Sequence, residues 1–260
     1  MTIIVHEDWW KTIFDELYLQ TDARSVCDDN LTRMEVDFLQ DVLKPSRFSH
    51  ILDLCGGQGR HSLELSRRGF DNVTVLDYSS YLLDLGKNKA HRENLCTSFL
   101  RGDARTVGLK GHCFTFIIVM ASSFGYFVEE TENRKVIREI YRLLVPGGML
   151  LLDLPYREFV LRNFKNESVH QIDGDLSVRR IREQRNGVIY SREIVMSAKK
   201  GKIRDNSYCI RLFSVAEISA LLASVGFADI RTWGDFMCRA DQGDFGCMTN
   251  RMIILAQKRP

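Results

Sequence analysis

Residues 51–65 read ILDLCGGQGRHSLEL, a short apolar strand followed at once by a glycine-rich turn and the start of a helix. The strand residues Ile51, Leu52 and Leu54 have the continuous apolar character of a strand in the middle of a parallel sheet. The glycines that follow allow the backbone to turn sharply and to approach a ligand closely. Asp53 ends the strand, and a carboxylate there suits a ligand with an ammonium group, whereas a dinucleotide turn uses helix amides against pyrophosphate. The stretch therefore predicts a turn that binds a nucleoside-containing ligand.

The spacing of three later segments supports this interpretation. Residues 73–79, VTVLDYS, predict a second strand ending in Asp77, eighteen residues after Gly59, where a carboxylate can accept both hydroxyls of a ribose. Residues 99–105, FLRGDAR, place Asp103 at the end of a third strand, where it suits an adenine amino group. Two further segments complete the order: a buried strand that opens into an aromatic loop (FTFIIVMASSFGYF, 114–127), and the end of a helix with the next strand (LVPGGMLLLDLPYRE, 144–158).

With this order of motifs, the chain resembles the class I S-adenosylmethionine-dependent methyltransferases. The resemblance spans roughly residues 45–155 by motif and reaches the C-terminus by element order. It implies that Asp53 and Gly57 lie near the methionyl part of the cofactor, that Asp77 binds the ribose, and that Met120 lies beside the sulfonium. The full set of implied cofactor-binding residues is Asp53, Cys55, Gly56, Gly57, Gly59, Asp77, Tyr78, Asp103, Ala104 and Met120. Cys55 stands where the family has its first glycine, which departs from the usual turn.

The predicted fold is α/β: a Rossmann-like, doubly wound, seven-stranded sheet, mostly parallel with an antiparallel C-terminal strand. Residues 45–155 and 214–260 form this core, and residues 1–44 form an N-terminal helical cap. A first helix is expected to carry Trp9, Trp10, Ile13, Phe14 and Leu17, and a second to open with a capping box from Thr32 to Glu35. Ser214 and Glu217 predict another capping box, for a helix that Gly226 closes.

Residues 156–213 are an insertion that the minimal fold does not require. Turn signals at Asn186-Gly187 and Lys200-Gly201 separate segments rich in Val, Ile, Tyr and Arg, which predicts an antiparallel β meander. The resemblance implies that this meander is a lid over the substrate pocket. The alternative is a surface through which two copies dimerise.

Composition limits the partners of the chain. Its 260 residues carry a net charge of +2, which gives no electrostatic reason to expect nucleic acid or a membrane surface as the main partner. The N-terminus lacks a signal-peptide pattern and no apolar run approaches 18 residues, so we expect a cytoplasmic protein, monomeric or homodimeric. Seven cysteines without a CxxC pair predict reduced thiols. Cys238, Asp241, Asp244 and Cys247 lack zinc-ligand spacing, so no metal is expected.

The substrate-positioning residues are expected at the carboxyl ends of strands four and five and on the lid. Methyl transfer from a sulfonium is an in-line displacement, so positioning does most of the work, and a base is needed only for a protonated nucleophile. The candidates are Tyr126, Tyr156, Tyr208 and Arg211, with Arg157, His170 and Tyr190 behind them. Each has a structural alternative: Tyr126 as a roof over the cofactor, Tyr156 and His170 as surface residues. Most lid arginines are expected to pair with carboxylates. His61 is expected to pack or cap.

Three function classes remain open on the sequence. The first is a methyltransferase acting on a small-molecule acceptor. The second is a methyltransferase acting on RNA or protein, which predicts a basic exposed face. The third is a nicotinamide-dependent oxidoreductase or a nucleotide-binding module, which Ser62 disfavours because the dinucleotide fingerprint has glycine or alanine there.

Overall fold

A computed structural model describes residues 2–22, 26–236 and 250–260. The strands are β1 Ile51–Leu54, β2 Val73–Asp77, β3 Ser98–Arg101, β4 Phe114–Val119, β5 Leu144–Pro155, β6 Glu167–Gln171, β7 Leu176–Arg185, β8 Val188–Ser197, β9 Gly201–Arg211, β10 Phe227–Phe236 and β11 Arg251–Lys258. The helices are α1 Glu16–Thr21, α2 Asp29–Leu43, α3 Arg60–Arg67, α4 Ser80–Arg92, α5 Glu130–Leu143, α6 Arg157–Arg162 and α7 Val215–Val225, preceded by a 3-10 turn at Trp9–Lys11.

The central sheet has seven strands in the order β10-β11-β5-β4-β1-β2-β3. Strands β1 to β5 pair in parallel, whereas β11 runs antiparallel to both β5 and β10. This arrangement confirms the predicted fold. Because neighbouring parallel strands end at the same edge, the ends of β1, β2, β3 and β4 come together there. That edge holds the candidate site.

The middle strands are buried on both faces, as their apolar sequences predict. β1 and the end of β4 have almost no exposed surface, and the helices on either side of the sheet supply the two halves of the core. On one side, the apolar stripe Val136, Ile137 and Ile140 of α5 packs on the sheet. On the other side, α2 contributes Val36 and Leu39. The cap helix α2 is therefore part of the core.

The insertion forms a second, separate antiparallel sheet in the order β6-β7-β8-β9. Asn186 and Gly187 have φ values of 51° and 74°, as a two-residue hairpin turn requires, and they join β7 to β8. The predicted meander is thus confirmed at β7 to β9. Strand β6, which pairs with β7, was not predicted from the sequence.

The N-terminal region departs from the sequence prediction in two places. The first predicted helix is wrong: Trp9 to Lys11 form a 3-10 turn, a bend follows, and α1 begins only at Glu16. The Thr32–Glu35 capping box is also wrong, because Asp28 caps α2 by accepting from the Leu31 amide at 3.0 Å. Glu35 lies inside the helix and is fully buried. The capping box of Ser214 and the closing Gly226 of α7 are confirmed.

Candidate functional site

A cavity of about 790 Å³ opens at the carboxyl edge of β1 to β4. Its floor carries Asp77, Tyr78, Asp103 and Ala104. Its other walls are aromatic, formed by the N-terminal segment and by the loop after β4: Trp10, Phe14, Tyr18, Phe124, Tyr126 and Phe127. An aromatic enclosure with carboxylates on one side suits a nucleoside.

A second cavity of about 440 Å³ adjoins the first. Its wall is more polar and includes Asp53, Arg60, His61 and Met120. Tyr18, Cys55, Gly57, Leu82 and Ser123 line both cavities, so the two spaces meet at these residues. The larger cavity and the smaller cavity therefore form one bent cleft.

The glycine turn between β1 and α3 is shaped by Asp53. A Cβ atom on Gly56 would lie 2.6 Å from the Asp53 Cγ atom, so only glycine leaves room for that carboxyl group. Cys55 adopts a left-handed φ of 58°, which costs a non-glycine residue roughly 1–2 kcal/mol. The departure from the family pattern is accommodated because Cys55 takes up the left-handed conformation itself.

Asp77 ties the glycine turn to the end of β2. Its Oδ2 accepts from the Gly57 amide at 2.8 Å, and its Oδ1 accepts from the Ser79 amide at 2.9 Å. Burial raises the pKa of this carboxyl group, while the amide hydrogen bonds act in the opposite direction. Each oxygen keeps a further lone pair for a ligand hydroxyl.

Asp53 is fully buried and only half satisfied. Its Oδ2 accepts from the Ser62 hydroxyl at 2.8 Å, whereas Oδ1 has no hydrogen-bond partner among the described residues. Burial raises the pKa of Asp53 to about 7, against the lowering effect of Ser62 and Arg60. The Arg60 side chain, also in the smaller cavity, has an Nη2 that lacks a partner in the described part of the chain. A free acceptor and a free donor together suit the ammonium and carboxylate groups of an amino acid.

Asp103 lines the larger cavity and pairs with Arg105, which lies two residues further along the chain. The Arg105 guanidinium binds the carboxylate with an Nη2–Oδ2 distance of 2.7 Å and lies over the rings of Trp10 and Phe127. Burial on its own would raise the pKa of Asp103, but the hydrogen bonds from Arg105 outweigh it and lower the pKa. Asp103 is therefore ionised and remains able to accept from an amino group.

Gly59 lies off the cavity walls, unlike the other residues of the predicted cofactor set. A Cβ atom there would lie 2.9 Å from Val75 Cγ2 and 3.0 Å from Phe99 Cε1. The absence of a side chain at Gly59 thus lets the start of α3 pack closely on β2 and β3.

Only Tyr126 of the four substrate-positioning candidates lines the cleft. Burial raises the pKa of its hydroxyl, and its ring stacks on Phe14 with centroids 5.8 Å apart. Tyr208 lies one layer further out, against Trp9 at 5.8 Å. Tyr156 caps α6 and lies beside Gly234 of β10.

Arg211 and the remaining candidates lie outside the cleft. The Arg211 amide donates to the Gly125 carbonyl at 2.7 Å and its Nη2 donates to the Val128 carbonyl at 2.6 Å, which fastens the aromatic loop to β9. Arg157 pairs with Glu217 at 2.6 Å. His170 lies on the outer strand β6 and Tyr190 on β8, under the guanidinium of Arg185.

His61 lines the smaller cavity without the properties of a base for the reaction. Its Nε2 lies 2.9 Å from Glu35 Oε2, and burial lowers the pKa of the imidazole to about 4. It is therefore neutral and bonded to a carboxylate that belongs to α2.

Two features of the site were missed at the level of sequence. Tyr18 reaches the cleft from the N-terminal segment, and its spacing of four residues from Phe14, which was predicted to lie in the cap, was the available signal. The second feature is a buried charge network of Glu35, Arg60, His61, Asp153 and Arg251. Its members come from four separate elements, so no local sequence pattern predicts it.

Comparison with known proteins bears on the class of enzyme to which this cleft belongs. A family model described as "Methyltransferase domain" matches residues 51–148, which include the glycine turn, Asp77 and Asp103. The chain is an S-adenosylmethionine-dependent methyltransferase. Its cofactor is S-adenosylmethionine, and the unpartnered Asp53 Oδ1 and Arg60 Nη2 fit the amino-acid end of that molecule.

Curated relatives of this methyltransferase carry the similarity beyond the matched domain. A glycine/sarcosine N-methyltransferase of Aphanothece halophytica is 28% identical over 218 residues, covering 81% of this chain and 78% of the relative. The ubiquinone/menaquinone biosynthesis C-methyltransferase UbiE of Ruegeria sp. is 32% identical over 137 residues, covering 52% of each.

Solved structures show the same fold. An S-adenosylmethionine-dependent methyltransferase from Clostridium acetobutylicum superposes with a TM-score of 0.74 at 16% identity, covering 94% of this chain and 97% of that one. CalS10, an amino pentose methyltransferase from Micromonospora echinaspora, gives a TM-score of 0.61 at 20% identity, covering 88% of this methyltransferase and 90% of CalS10.

No described helix of the methyltransferase has the length and apolar character needed to cross a bilayer. Within residues 2–22, 26–236 and 250–260, no three metal-ligating side chains come together. The sequence candidates Cys238, Asp241, Asp244 and Cys247 lie outside the described residues.

Proposed function

We propose that this enzyme transfers the methyl group of S-adenosylmethionine to the nitrogen of a small amine. The observation that carries the proposal is the aromatic roof of the cleft. Trp10, Phe14 and Tyr18 contribute to it from the N-terminal segment, and Tyr126 and Phe127 contribute from the loop after β4. An aromatic cleft of this size suits a small acceptor better than a folded RNA or protein.

The proposed placement of the cofactor follows the polar groups of the cleft. In this placement, Asp77 holds the ribose hydroxyls, Asp103 and Ala104 meet the adenine, and Asp53 and Arg60 bind the amino-acid end. When bound, the cofactor supplies a methyl group on a positively charged sulfur that is itself the leaving group. Met120 and the junction of the two cavities would then lie around that sulfur, and aromatic faces such as Tyr18 favour a nearby cation.

The side chains at the junction favour an acceptor that needs no base. Burial raises the pKa of Tyr18, Tyr126 and Cys55, so all three are protonated at neutral pH. They can donate hydrogen bonds and orient the acceptor, but they cannot remove a proton. An amine in its neutral form already carries the lone pair that attacks the methyl group. The similarity to a glycine/sarcosine N-methyltransferase supports a nitrogen acceptor of small size.

The direct test is a label-transfer screen. Purified enzyme would be incubated with cofactor carrying an isotopically labelled methyl group and with separate pools of small amines, alcohols, thiols and phenols. We expect label in one or a few amines and none in the other pools. Label only on oxygen, sulfur or carbon would contradict the nitrogen assignment.

Two further measurements address the other function classes. Transfer of label to RNA that weakens steeply with salt, together with no labelled amine, would favour the RNA alternative. Calorimetry should detect binding of S-adenosylhomocysteine and no binding of NADH.

Tyr126 is the residue that we propose positions the acceptor. The variant Tyr126→Phe keeps the ring and removes the hydroxyl, so we expect turnover of the amine found in the screen to fall about tenfold while S-adenosylhomocysteine affinity stays within twofold. Tyr156→Phe is the matched control, because Tyr156 lies beside Gly234 and away from the cleft. Equal activity of the two variants would contradict the assignment.

We also propose a cytoplasmic enzyme that acts as a monomer or homodimer. The free thiols of Cys27, Cys55, Cys96, Cys113 and Cys209 support a reducing compartment. Sedimentation equilibrium of the purified protein measures the oligomeric state.

A further inference from the structure

Arg251 is a fully buried cation at the start of β11. Only 1% of its surface is exposed, and its guanidinium binds two carboxylates at once. Nη1 donates to Asp153 Oδ2 at 2.5 Å, and Nη2 donates to Glu35 Oε1. Neither carboxylate has exposed surface. Buried ion pairs of this kind add little to stability over an apolar cluster of the same volume, so stability alone is a weak reason for them.

One arm of this network reaches the loop after β4. Asp153 Oδ2 also accepts from the Ala121 amide at 2.8 Å. Ala121 and the following Ser122 both have a φ of 58°, a left-handed conformation that is costly for residues other than glycine. Two such residues in succession persist only when surrounding contacts hold them. Asp153 is the contact that holds this turn.

The other arm reaches the first turn of α3. Glu35 Oε2 accepts from Arg60 Nη1 at 2.5 Å and lies 2.9 Å from His61 Nε2. Burial on its own would raise the pKa of Glu35, but the positive charges of Arg60 and Arg251 and the bond from His61 keep it well below its usual range. Glu35 is therefore ionised and fixes Arg60 with one of its nitrogens, leaving Nη2 unpartnered.

Both arms end on the wall of the smaller cavity. Arg60, His61 and Ala121 line that cavity, whereas Glu35, Asp153 and Arg251 do not. Glu35 and Asp153 thus contact residues of the cavity wall, and Arg251 joins them, without any of the three lining the cavity.

We propose that Glu35, Arg251 and Asp153 are positioning residues for the amino-acid end of the cofactor: they hold Arg60 and the turn that begins at Ala121, and both Arg60 and Ala121 line the smaller cavity. They connect the cap helix α2 with β5 and β11 across the site. The inference rests on the cofactor placement proposed above. Its consequence is that weakening the network impairs binding of the amino-acid end and leaves binding of the nucleoside intact.

The test compares two ligands by calorimetry. S-adenosylhomocysteine fills both cavities in the proposed placement, whereas 5′-methylthioadenosine has the same nucleoside and sulfur without the amino-acid end. The ratio of their dissociation constants measures the amino-acid contribution alone. In Glu35→Gln we expect S-adenosylhomocysteine to bind at least tenfold more weakly and 5′-methylthioadenosine to bind within twofold of the wild type.

The matched control is Glu64→Gln. Glu64 is a nearly buried carboxylate on α3 that pairs with Arg67 and Arg68 and touches neither cavity nor the network. For this variant, the ratio of the two dissociation constants should equal that of the wild type. Arg251→Lys keeps the positive charge and loses one of the two carboxylate contacts, so it is the second variant if Glu35→Gln does not fold, and we expect the same drop in the ratio.

The outcomes separate this inference from the cofactor placement. An equal loss of both ligands in the folded variants would make the network a purely structural element and overturn the inference, as would an unchanged ratio. If the wild type binds both ligands equally well, the smaller cavity does not hold the amino-acid end, and the placement fails together with the inference.

Discussion

At the scale of single residues, the cleft depends on carboxyl groups whose surroundings give them different charge states. Asp103 is held ionised by Arg105, whereas burial keeps Asp53 partly protonated near neutral pH. Asp53 lies at the end of β1 and Asp103 follows β3, two strands of one sheet that are separated by β2. The difference arises from their partners: one carboxylate binds a guanidinium and the other a single hydroxyl.

Binding of the cofactor should release a proton from Asp53. Because the pKa of Asp53 in the free protein is raised to about 7, roughly half of the molecules carry a protonated Asp53 at that pH. A ligand ammonium favours the ionised form, so affinity should rise as the pH increases towards 7 and level off above it. Calorimetry in buffers of different ionisation enthalpy should detect about half a proton released at pH 7.

The control for this prediction is Asp53→Asn. Its side chain cannot titrate, so proton release should vanish and the remaining affinity should be flat over the same range. Proton release that persists in this variant would assign the titrating group to another residue.

Asp77→Asn should weaken S-adenosylhomocysteine binding about thirtyfold. The substitution keeps the size of the side chain and removes the charge that strengthens hydrogen bonds to the ribose, a loss of about 2 kcal/mol. Asp84→Asn is the control, since Asp84 is an exposed carboxylate on α4 whose contact is Lys87 at 3.5 Å. Calorimetry that finds Asp77→Asn within threefold of the wild type would remove Asp77 from the ribose site.

At the scale of elements, two glycines of the turn have different roles: Gly57 lies at the ligand site, and Gly59 allows the fold to pack closely. Gly57 lines both cavities, and a Cβ atom there would make an ordinary contact of 3.4 Å with Leu82. At Gly59, a Cβ atom would crowd Val75 and Phe99 of the sheet. The two glycines have similar left-handed φ values of 58° and 72°, so their substitutions share the same backbone strain.

We therefore expect Gly57→Ala mainly to weaken ligand binding and Gly59→Ala mainly to lower folding stability. Gly57→Ala should fold with a modest loss of melting temperature and show little thermal stabilisation by S-adenosylhomocysteine. Gly59→Ala should lose a further 1–3 kcal/mol or so of stability through overpacking and keep most of its ligand-induced shift. Thermal melts with and without ligand measure both quantities. A larger ligand shift in Gly57→Ala than in Gly59→Ala would contradict this division.

The elements that the sequence predicted best are those with strong local patterns. The strands β1, β2 and β4 follow from continuous apolar runs, and the hairpin at Asn186 follows from its turn chemistry. Strand β6 was missed because its residues, ESVHQ, are mostly exposed and polar. The Thr32–Glu35 pattern misled because Asp28, four residues earlier, provides the cap and tertiary packing buries Glu35.

The residues of the candidate site also differ in how well the sequence predicts them. Residues at strand ends, such as Asp53 and Asp77, could be predicted because the parallel sheet brings those ends together. Tyr208 and Arg211 could not be placed, because the direction of a side chain on the meander depends on how the second sheet lies against the first. The charge network around Arg251 joins residues 216 positions apart and is purely tertiary.

At the scale of the whole molecule, the N-terminal segment lies between the cleft and the four-stranded sheet and is bonded to both. Ser79 Oγ donates to the Phe14 carbonyl at 2.6 Å on the core side. On the sheet side, Arg180 binds Asp22 at 3.0 Å and Glu193 at 2.8 Å, and Arg204 binds Asp15 at 2.5 Å. Support of the N-terminal part of the roof is thus shared between the core and the four-stranded sheet.

Arg180→Met should destabilise the protein by about 3–5 kcal/mol, because it leaves the buried Glu193 without its main partner. Arg179→Met is the matched control, at the residue of β7 that precedes Arg180. Arg179 faces outward and pairs with Glu167 on the surface, where an ion pair contributes at most about 1 kcal/mol. Urea unfolding measures both variants, and equal losses would mean that the Arg180 cluster does not join the segment to the sheet.

The shared roof has a consequence for how this enzyme could acquire a new acceptor during evolution. The glycine turn, Asp77, Asp103 and the loop after β4 all lie within residues 51–148, whereas the N-terminal part of the roof and the four-stranded sheet lie outside them. A chimera that received only the four-stranded sheet of a relative would bring a foreign partner to Asp15, Asp22 and Trp9. We therefore expect residues 2–22 and the inserted sheet to depend on each other. Hybrids of two relatives should be active when residues 2–22 and the four-stranded sheet are exchanged together. They should be inactive or unstable when only one of these two segments is exchanged.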